Sequence, residues 1–435
     1  MSGAGGTWRN WARTVNVAPQ RIEQPASVHE LQQCVKRAAA AGLRVKAVGA
    51  GHSFTSIAAA PGVLLDLSRL QGILDADPER LQVRLLAGTR LHRIPDLLAK
   101  YRLAMQNLGD IDRQSIAGAI STGTHGTGAR FGGLSTQVVG LTLIQPDGGL
   151  LTLDGDDPLL PAAALGLGAL GIIADVTLQC VPAFALRAVE ASEPLPSVLA
   201  SMTRRVEQSD HFEFYWFPHT NRAATKFNTR LSSAAPQKPL PPVSRWVDET
   251  FLSNTVFRAT CAAGTAVPAV VPAVNRVAAR LLGGRDYTDS SPGVFTQRRT
   301  VRFTEQEYGI PADRLTSAFD ALRRLIDERN WRISFPVEVR WAAADDRWLS
   351  TAHGRATAYV AVHRYYREDP AEYFEAVEEI MLAHEGRPHW GKLHTLDAAA
   401  LAPRYPRFAD FLDLRTRMDP GRVFANDYLD RVLGP

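Results

Sequence analysis

The sequence predicts an α+β protein built as two domains. Three observations carry that expectation. The chain is 435 residues long, more than one compact core usually organises. Its first 183 residues mix short strand-like runs with amphipathic helical patterns. After Pro182 the character changes, beginning with an aromatic strand and continuing as a second set of strands and helices. Residues 1–183 are read as one domain, 184–385 as a second, and 386–435 as a C-terminal segment with polar and aromatic clusters.

In the first domain, residues 28–41 have helical apolar spacing, with Ser27 as N-cap and Gly42 as stop. Residues 44–48 read as a strand entering a glycine loop, and 63–67 and 81–86 as further strands. Residues 91–101 read as a helix, and 115–120 as a short helix start whose free N–H groups face the preceding loop. Strands follow at 138–145, 150–153 and 172–181, the first two joined by the turn Pro146-Asp147-Gly148-Gly149. In the second domain, 211–217 (HFEFYWF) is an aromatic strand, and the Pro-rich 232–243 is an exposed loop. Strands at 301–303, 333–341 and 358–362 alternate with helices such as 314–329 and 371–385.

The bulk properties exclude several function classes. A formal charge of +4 is small for this length, and no Lys/Arg block concentrates it, which argues against a nucleic-acid partner. Only six basic residues are lysines, Lys36, Lys46, Lys100, Lys226, Lys238 and Lys392, so a lysine inside a motif stands out. Cys34, Cys180 and Cys261 are odd in number and far apart, without metal or disulfide spacing. They are expected to be free thiols in a reducing compartment, and no metal is expected. Residues 1–11 lack a secretory pattern, and the most apolar internal run, 262–274, is interrupted by Pro268 and Pro272. The chain is therefore read as cytoplasmic and without a transmembrane segment, with peripheral membrane contact left open.

Two small-residue loops carry the chemistry. Val48-Gly49-Ala50-Gly51-His52-Ser53-Phe54 follows an apolar run, and a second loop rich in Gly, Ser and Thr spans 115–128. Glycine lets the backbone approach a phosphate and turn successive N–H groups toward an anion. Two such loops, each with a histidine and hydroxyl donors, predict a cradle for a pyrophosphate-bearing cofactor. A nicotinamide-type site is disfavoured. Gly166-Leu167-Gly168-Ala169-Leu170-Gly171 matches G-x-G-x-x-G, but a strand-like run follows it where the motif requires a helix.

Jointly the motifs resemble the sugar-1,4-lactone oxidoreductases of the vanillyl-alcohol-oxidase-type flavoproteins. That group includes gulonolactone and arabinonolactone oxidases, galactonolactone dehydrogenases and alditol oxidases. The matching pieces are G-x-G-H-S at 49–53, G-T-H-G-T-G at 123–128, G-A-L-G-I-I at 168–173, P-V-E-V-R at 336–340, H-W-G-K at 389–392 and D-P-x-x-V-F-x-N-D-Y at 419–428. The resemblance implies a p-cresol methylhydroxylase-like FAD-binding domain that the C-terminal segment rejoins to close the active site, and an α+β cap domain. It implies FAD bonded covalently through His52. Cofactor contacts are expected from Gly49, Ala50, Gly51, Ser53, Gly109, Asp110, Ser115, Gly118, Ala119, Thr122, Gly123, Gly171, Ile173 and Lys392, with His125 structural in the phosphate-side loop.

Glu338 and Arg340 are two apart on a strand and leave the same face. Taken alone they could be a surface ion pair. The resemblance places them at the flavin's reactive side, with Arg340 stabilising developing alkoxide charge and Glu338 orienting hydroxyls or accepting the proton. Lys392 would stabilise the anionic reduced ring. His363 and Tyr365 alternate onto one face as substrate-pocket residues. The implied reaction is hydride transfer to flavin N5 from C2 of a gulono- or arabinono-1,4-lactone, giving an ascorbate-like product. An alditol oxidase acting on open-chain polyols is the alternative. Gly109, ahead of the second loop, favours an oxidase, while O2 or another redox carrier stays open as acceptor. Oligomeric state is not legible.

Overall fold

The computed structural model describes residues 3–4, 6–281 and 284–435. The N-terminal half contains, in chain order, β1 (Arg21–Glu23), α1 (Val28–Ala40), β2 (Val45–Val48), β3 (Val63–Asp66), β4 (Ile73–Asp77), β5 (Gln82–Leu86), α2 (Ile116–Ser121), β6 (Val138–Ile144), β7 (Leu150–Asp154) and β8 (Ile172–Gln179). β3 lies between β1 and β2 in a parallel arrangement, with Gly3–Ala4 added antiparallel at the β1 edge. β7, β6, β8, β5 and β4 form a second, antiparallel sheet in that order.

Local sequence explains these elements. The Ser27 side chain accepts the Glu30 N–H, and the Glu30 carboxylate accepts the Ala26 N–H, so the start of α1 is capped from both sides. Leu31, Cys34, Val35 and Ala38 give α1 its buried stripe, and Gly42 at φ +67° ends it. The β6–β7 turn closes because Gly148 takes φ +84° and Asp147 accepts the Gly149 N–H.

The second half contains β9 (Phe184–Pro194), α3 (Leu195–Gln208), β10 (His211–Trp216), β11 (Arg222–Ser232), α4 (Phe257–Ala266), α5 (Val271–Leu281), β12 (Arg285–Ser290), β13 (Phe303–Pro311), α6 (Leu315–Glu328), β14 (Val337–Ala342), β15 (Thr357–Tyr365), α7 (Ala371–Ala383) and β16 (Arg387–Pro388). Its sheet is antiparallel and eight-stranded, in the order β12-β9-β11-β10-β14-β15-β13-β16. One face is apolar. Phe212, Phe214 and Trp216 of β10 and Val337, Val339 and Trp341 of β14 pack with Phe319 of α6 and Phe374 of α7. The alternate residues of the same strands point the other way, and they build the site.

The last residues rejoin the N-terminal core. Tyr405, Phe408, Phe411, Phe424 and Tyr428 belong to the same apolar cluster as α1 and β8. Asn426 donates to the carbonyls of Ser56, Ile57 and Ala59, and its Oδ1 caps the helix Asp427–Leu433 through the Leu429 N–H. Lys46 on β2 donates to the carbonyls of Leu167, Gly168 and Phe424.

Several sequence expectations shift. The strand expected at 301–303 begins at Phe303 and continues to Pro311. The one expected at 333–341 starts only at Val337, after Pro336. The helix expected at 91–101 is a tight turn, Leu91–Arg93, followed by Ile94–Ala99 with Pro95 in its first turn. The loop expected at 232–243 is trimmed at both ends, because β11 reaches Ser232 and a helical turn starts at Pro242. Cys34, Cys180 and Cys261 are buried free thiols. No helix among the described residues is long and apolar enough to cross a membrane.

Candidate active site

The two glycine loops meet in one groove. Gly49, Ala50, Gly51, His52 and Ser53 face Ser115, Gly118 and Thr122 across it, and Gly168, Gly171 and Ile173 close a further side. Ser115 caps α2, its Oγ accepting the Gly118 N–H at 3.3 Å. Glycine is required at 49, since a Cβ there would stand 2.0 Å from Ser115 Oγ. Gly51, at φ +67°, turns the loop so that His52 leaves it toward the cleft. The His52 ring stacks on Trp11 at 5.7 Å. Burial, then the cations Arg90, Lys392 and Arg113, push its pKa down to about 4, so the imidazole is neutral at pH 7 with a free lone pair.

Two expected cofactor contacts, Ala119 and Gly123, line neither this groove nor the cavity beyond it. Ala119 is fully buried and packs in the apolar core behind α2, because one helix face cannot serve both sides; Ala117 and Ser121 line the groove beside Gly118. Gly123 takes φ +82° to reverse the chain after α2 and lines neither the groove nor the cavity beyond it. Gly109, Asp110, His125 and Lys392, also expected at the cofactor, line that cavity. The cavity holds about 610 Å3 and joins the groove through His52, Ser53, Gln114 and Thr122, which line both.

Its floor is the polar face of the eight-stranded sheet. Strand alternation exposes Glu213 and Tyr215 on β10, Glu338 and Arg340 on β14, Tyr359 and His363 on β15, and Glu305 and Glu307 on β13. Register lines them up: Tyr215 stands opposite Glu338, Arg340 opposite Tyr359, and His363 opposite Glu305. Antiparallel pairing thus makes a polar row from residues on four strands that are scattered in sequence.

Arg340 is the hub of one end of the row. Its Nε donates to Glu213 Oε2 at 2.9 Å, and its Nη2 contacts Glu338 and lies 3.6 Å from Asp110. Arg299 is 3.5 Å from Asp110 on the other side. Burial opposes ionisation of Asp110, but Arg340 and Arg299 outweigh it and hold the carboxyl below its ordinary value. Glu338 goes the other way. Burial first, then Asp110 and Glu213 against the pull of Arg340, push it up to about 7. Its Oε1 is paired with the Arg340 guanidinium.

The other end is organised by Lys392, which pairs with Glu305 and lies 4.0 Å from Glu307. His363 Nε2 is 3.5 Å from Glu305 Oε1. His125 Nε2 meets Glu307 at 3.1 Å and Nδ1 meets the Gly126 carbonyl at 2.8 Å, while the ring stacks 3.5 Å above Tyr359. Burial would raise Glu305 and Glu307, but Lys392 with His363 and His125 with Lys392, respectively, hold them low. His125, Glu307 and His389 present ligand atoms within 4.8 Å of one another. His125 and Glu307 of this group are joined by a hydrogen bond. His389 Nδ1 accepts the Gly391 N–H, which puts the neutral ring's proton on Nε2. Tyr365, expected beside His363, instead packs in an apolar cluster with Phe303 and Phe335.

Sequence reasoning missed Glu213, Tyr215, Arg299, Glu305 and Glu307. The alternations in H-F-E-F-Y-W and T-E-Q-E were the available signal.

The glycine groove, the joined cavity and its proton-handling floor define a flavin-dependent oxidoreductase, and residues 19–154 match the FAD binding domain family. The fold is that of cholesterol oxidase from B. sterolicum, with a TM-score of 0.87 at 18% identity over 100% of this chain and 97% of that one. Residues 176–432 match the D-arabinono-1,4-lactone oxidase family, and the chain belongs to that family. It is 44% identical to an L-gulono-1,4-lactone dehydrogenase of Mycobacterium tuberculosis over 98% of this chain and 99% of the relative. It is 32% identical to an L-gulonolactone oxidase of Scyliorhinus torazame over 98% of each.

Proposed function

We propose that the protein oxidises the C2 hydroxyl of an aldono-1,4-lactone of the gulono or arabinono type to a 2-keto-lactone that enolises to an ascorbate-like product. The observation that carries this reading is the Glu338–Arg340 pair, buried together on one strand face in a cavity that opens onto His52. The residues fit FAD. A Cβ would block the groove at Gly49, and groove and cavity are continuous, as a long dinucleotide with a reactive ring requires. When bound, FAD supplies the two-electron acceptor for the C2 hydrogen.

The chain's own residues supply the rest. Gly49 to Ser53, Ser115, Gly118, Thr122, Gly171 and Ile173 hold the cofactor, and His52, neutral and with a free lone pair, attaches it covalently. Arg340 holds the reacting oxygen and stabilises it as its proton departs. Glu338, poised near pH 7, accepts that proton. Asp110 and Glu213 fix the guanidinium, so it meets the substrate in one orientation. Lys392 sets the charge at the cofactor end, and His363 bounds the substrate. Arg340, Arg299 and Lys392 all carry carboxylate partners, which suits an uncharged, hydroxyl-rich lactone rather than a free acid. Gly109 lines the cavity and keeps the approach open, in support of O2 as acceptor. A Cβ there would also press on the His125 carbonyl at 3.0 Å.

The test is an acid precipitation followed by an anaerobic spectrum with L-gulono-1,4-lactone. Yellow retained in the pellet and bleached by lactone is expected. Retained colour bleached by xylitol but not by lactone would replace this reading with an alditol oxidase. Colour released to the supernatant would remove the His52 bond.

A further inference from the structure

The polar floor of the cavity does not stop at Arg340. On the side away from Lys392 the sheet continues from β14 through β10, β11 and β9 to β12, and register sets one charged residue of each strand in line. Arg340 bonds to Glu213, Glu213 stands opposite Lys226, Lys226 opposite Glu190, and Glu190 opposite Arg285. The five alternate in sign across the sheet, and all line the cavity. Neighbouring strands lie about 4.8 Å apart, so Lys226, two strands from Arg340, stands roughly 10 Å from it.

One member of this row keeps hydrogen-bonding capacity. Arg340 is taken up by Glu213, Glu338 and Asp110. Arg285 pairs with Glu190 and lies 3.2 Å from Asp248, and Glu190 also accepts the Tyr287 hydroxyl at 3.2 Å. Lys226 is as deeply placed, only 6% exposed, yet among the described residues its Nζ donates to the Val294 carbonyl alone, at 2.8 Å, and forms no ion pair. An ammonium carries three donors, and burying it with one in use is costly unless something in the cavity takes the others. Its charge is also among those that hold Asp110 low, so Lys226 is coupled to the reacting end of the cavity.

We infer that Lys226 is the centre of a second subsite, which binds the exocyclic hydroxyls of the lactone and separates six-carbon from five-carbon substrates. The inference rests on the lactone reading above and extends it to the far end of the substrate. A six-carbon 1,4-lactone carries a C5–C6 diol outside its ring, whereas a five-carbon one carries a single hydroxymethyl group. With bonds near 1.5 Å, the six-carbon lactone spans roughly 6–7 Å from its C2 oxygen to its last hydroxyl. Held at Arg340 by the C2 oxygen, it brings that hydroxyl within one hydrogen bond of the Lys226 position, and the five-carbon lactone falls a bond short. The setting suits a diol. Lys226 donates to a hydroxyl oxygen, and the carboxylates of Glu213 and Glu190 on either side accept hydroxyl protons. A phosphate or carboxylate in the same place would meet both acids as well as the lysine.

The experiment compares flavin-loaded wild type with Lys226→Met, which removes the donors at similar length. Each is reduced anaerobically with L-gulono-1,4-lactone and with D-arabinono-1,4-lactone over a concentration series, and flavin bleaching is followed by stopped flow. In the variant the half-saturating concentration of the six-carbon lactone is expected to rise about tenfold more than that of the five-carbon lactone, the loss due to one hydrogen bond from a charged donor. Its limiting reduction rate should change by less than about twofold, since binding and not the chemical step is affected. Lys226→Arg, which keeps charge and donors, should restore most of the discrimination. If Lys226→Met loses its flavin, Lys226→Gln, which can still donate to Val294, is read in the same way. Equal shifts for the two lactones, or none, would overturn the inference and leave the lactone reading standing. Bleaching of wild type by polyols but not by lactones would remove the lactone reading, and sorbitol against xylitol would then decide the subsite: a larger shift for sorbitol supports it, equal shifts overturn it. Wild-type flavin bleached by neither class would overturn both.

Discussion

Arg340 is held by Glu213, Glu338 and Asp110, and this crowding decides how the residue can fail. Lysine keeps the charge but lacks the planar fork that reaches several carboxylates at once. Arg340→Lys should therefore lower the rate of anaerobic flavin reduction by lactone about 10²-fold, and Arg340→Ala by up to about 10³-fold. Stopped-flow absorbance reads both. Glu338 makes a separable prediction. With a pKa near 7, its rate contribution should rise with pH through that value as the carboxylate forms. Glu338→Gln should lower the reduction rate by about 10²-fold or more and flatten that limb of the profile. A profile unchanged in Glu338→Gln would assign the proton to another group.

Among the elements, the glycine loop and α2 act as one piece. Gly49→Ala drives a Cβ into Ser115 Oγ, the cap of α2, so the loop and helix must part. A stability loss of about 1–3 kcal/mol is expected, together with weaker flavin retention, measured by thermal unfolding and by the visible spectrum after gel filtration. The loops were legible because glycine, serine and histidine were adjacent in sequence, and Glu338 and Arg340 because they alternate on one strand. Glu305 and Glu307 were not. The strand expectation stopped at Phe303, since two acids in T-E-Q-E resemble an exposed segment until Lys392 and His125 arrive from other parts of the chain to neutralise them. Glu213 and Tyr215 were hidden by their neighbours, for Phe212, Phe214 and Trp216 made the strand look wholly core. β9 and β11 were missed for another reason. Their small and polar residues show little alternation, and they are stabilised by eleven paired positions across the sheet.

For the whole molecule, buried histidines contribute to the response to acid. His211 and His394 have pKa values pushed down by burial to about 4 and about 3. In the unfolded chain they take a proton near 6.5, which the folded state refuses. Their contribution is complete above that pH and is lost as pH falls from 6.5 toward 4, because the unfolded state then binds more protons. The melting temperature should drop over this window, and His394→Gln should drop less steeply. Lys46→Met should cost about 1–3 kcal/mol by leaving the carbonyls of Leu167, Gly168 and Phe424 without their donor. The same anchoring reaches into biosynthesis. Phe424 and Asn426 brace the chain on either side of the first glycine loop, yet the ribosome adds them more than three hundred and seventy residues after His52. A nascent chain stalled before Asp419 should emerge from translation pale and protease-sensitive, and gain its colour only once the remaining residues clear the exit tunnel.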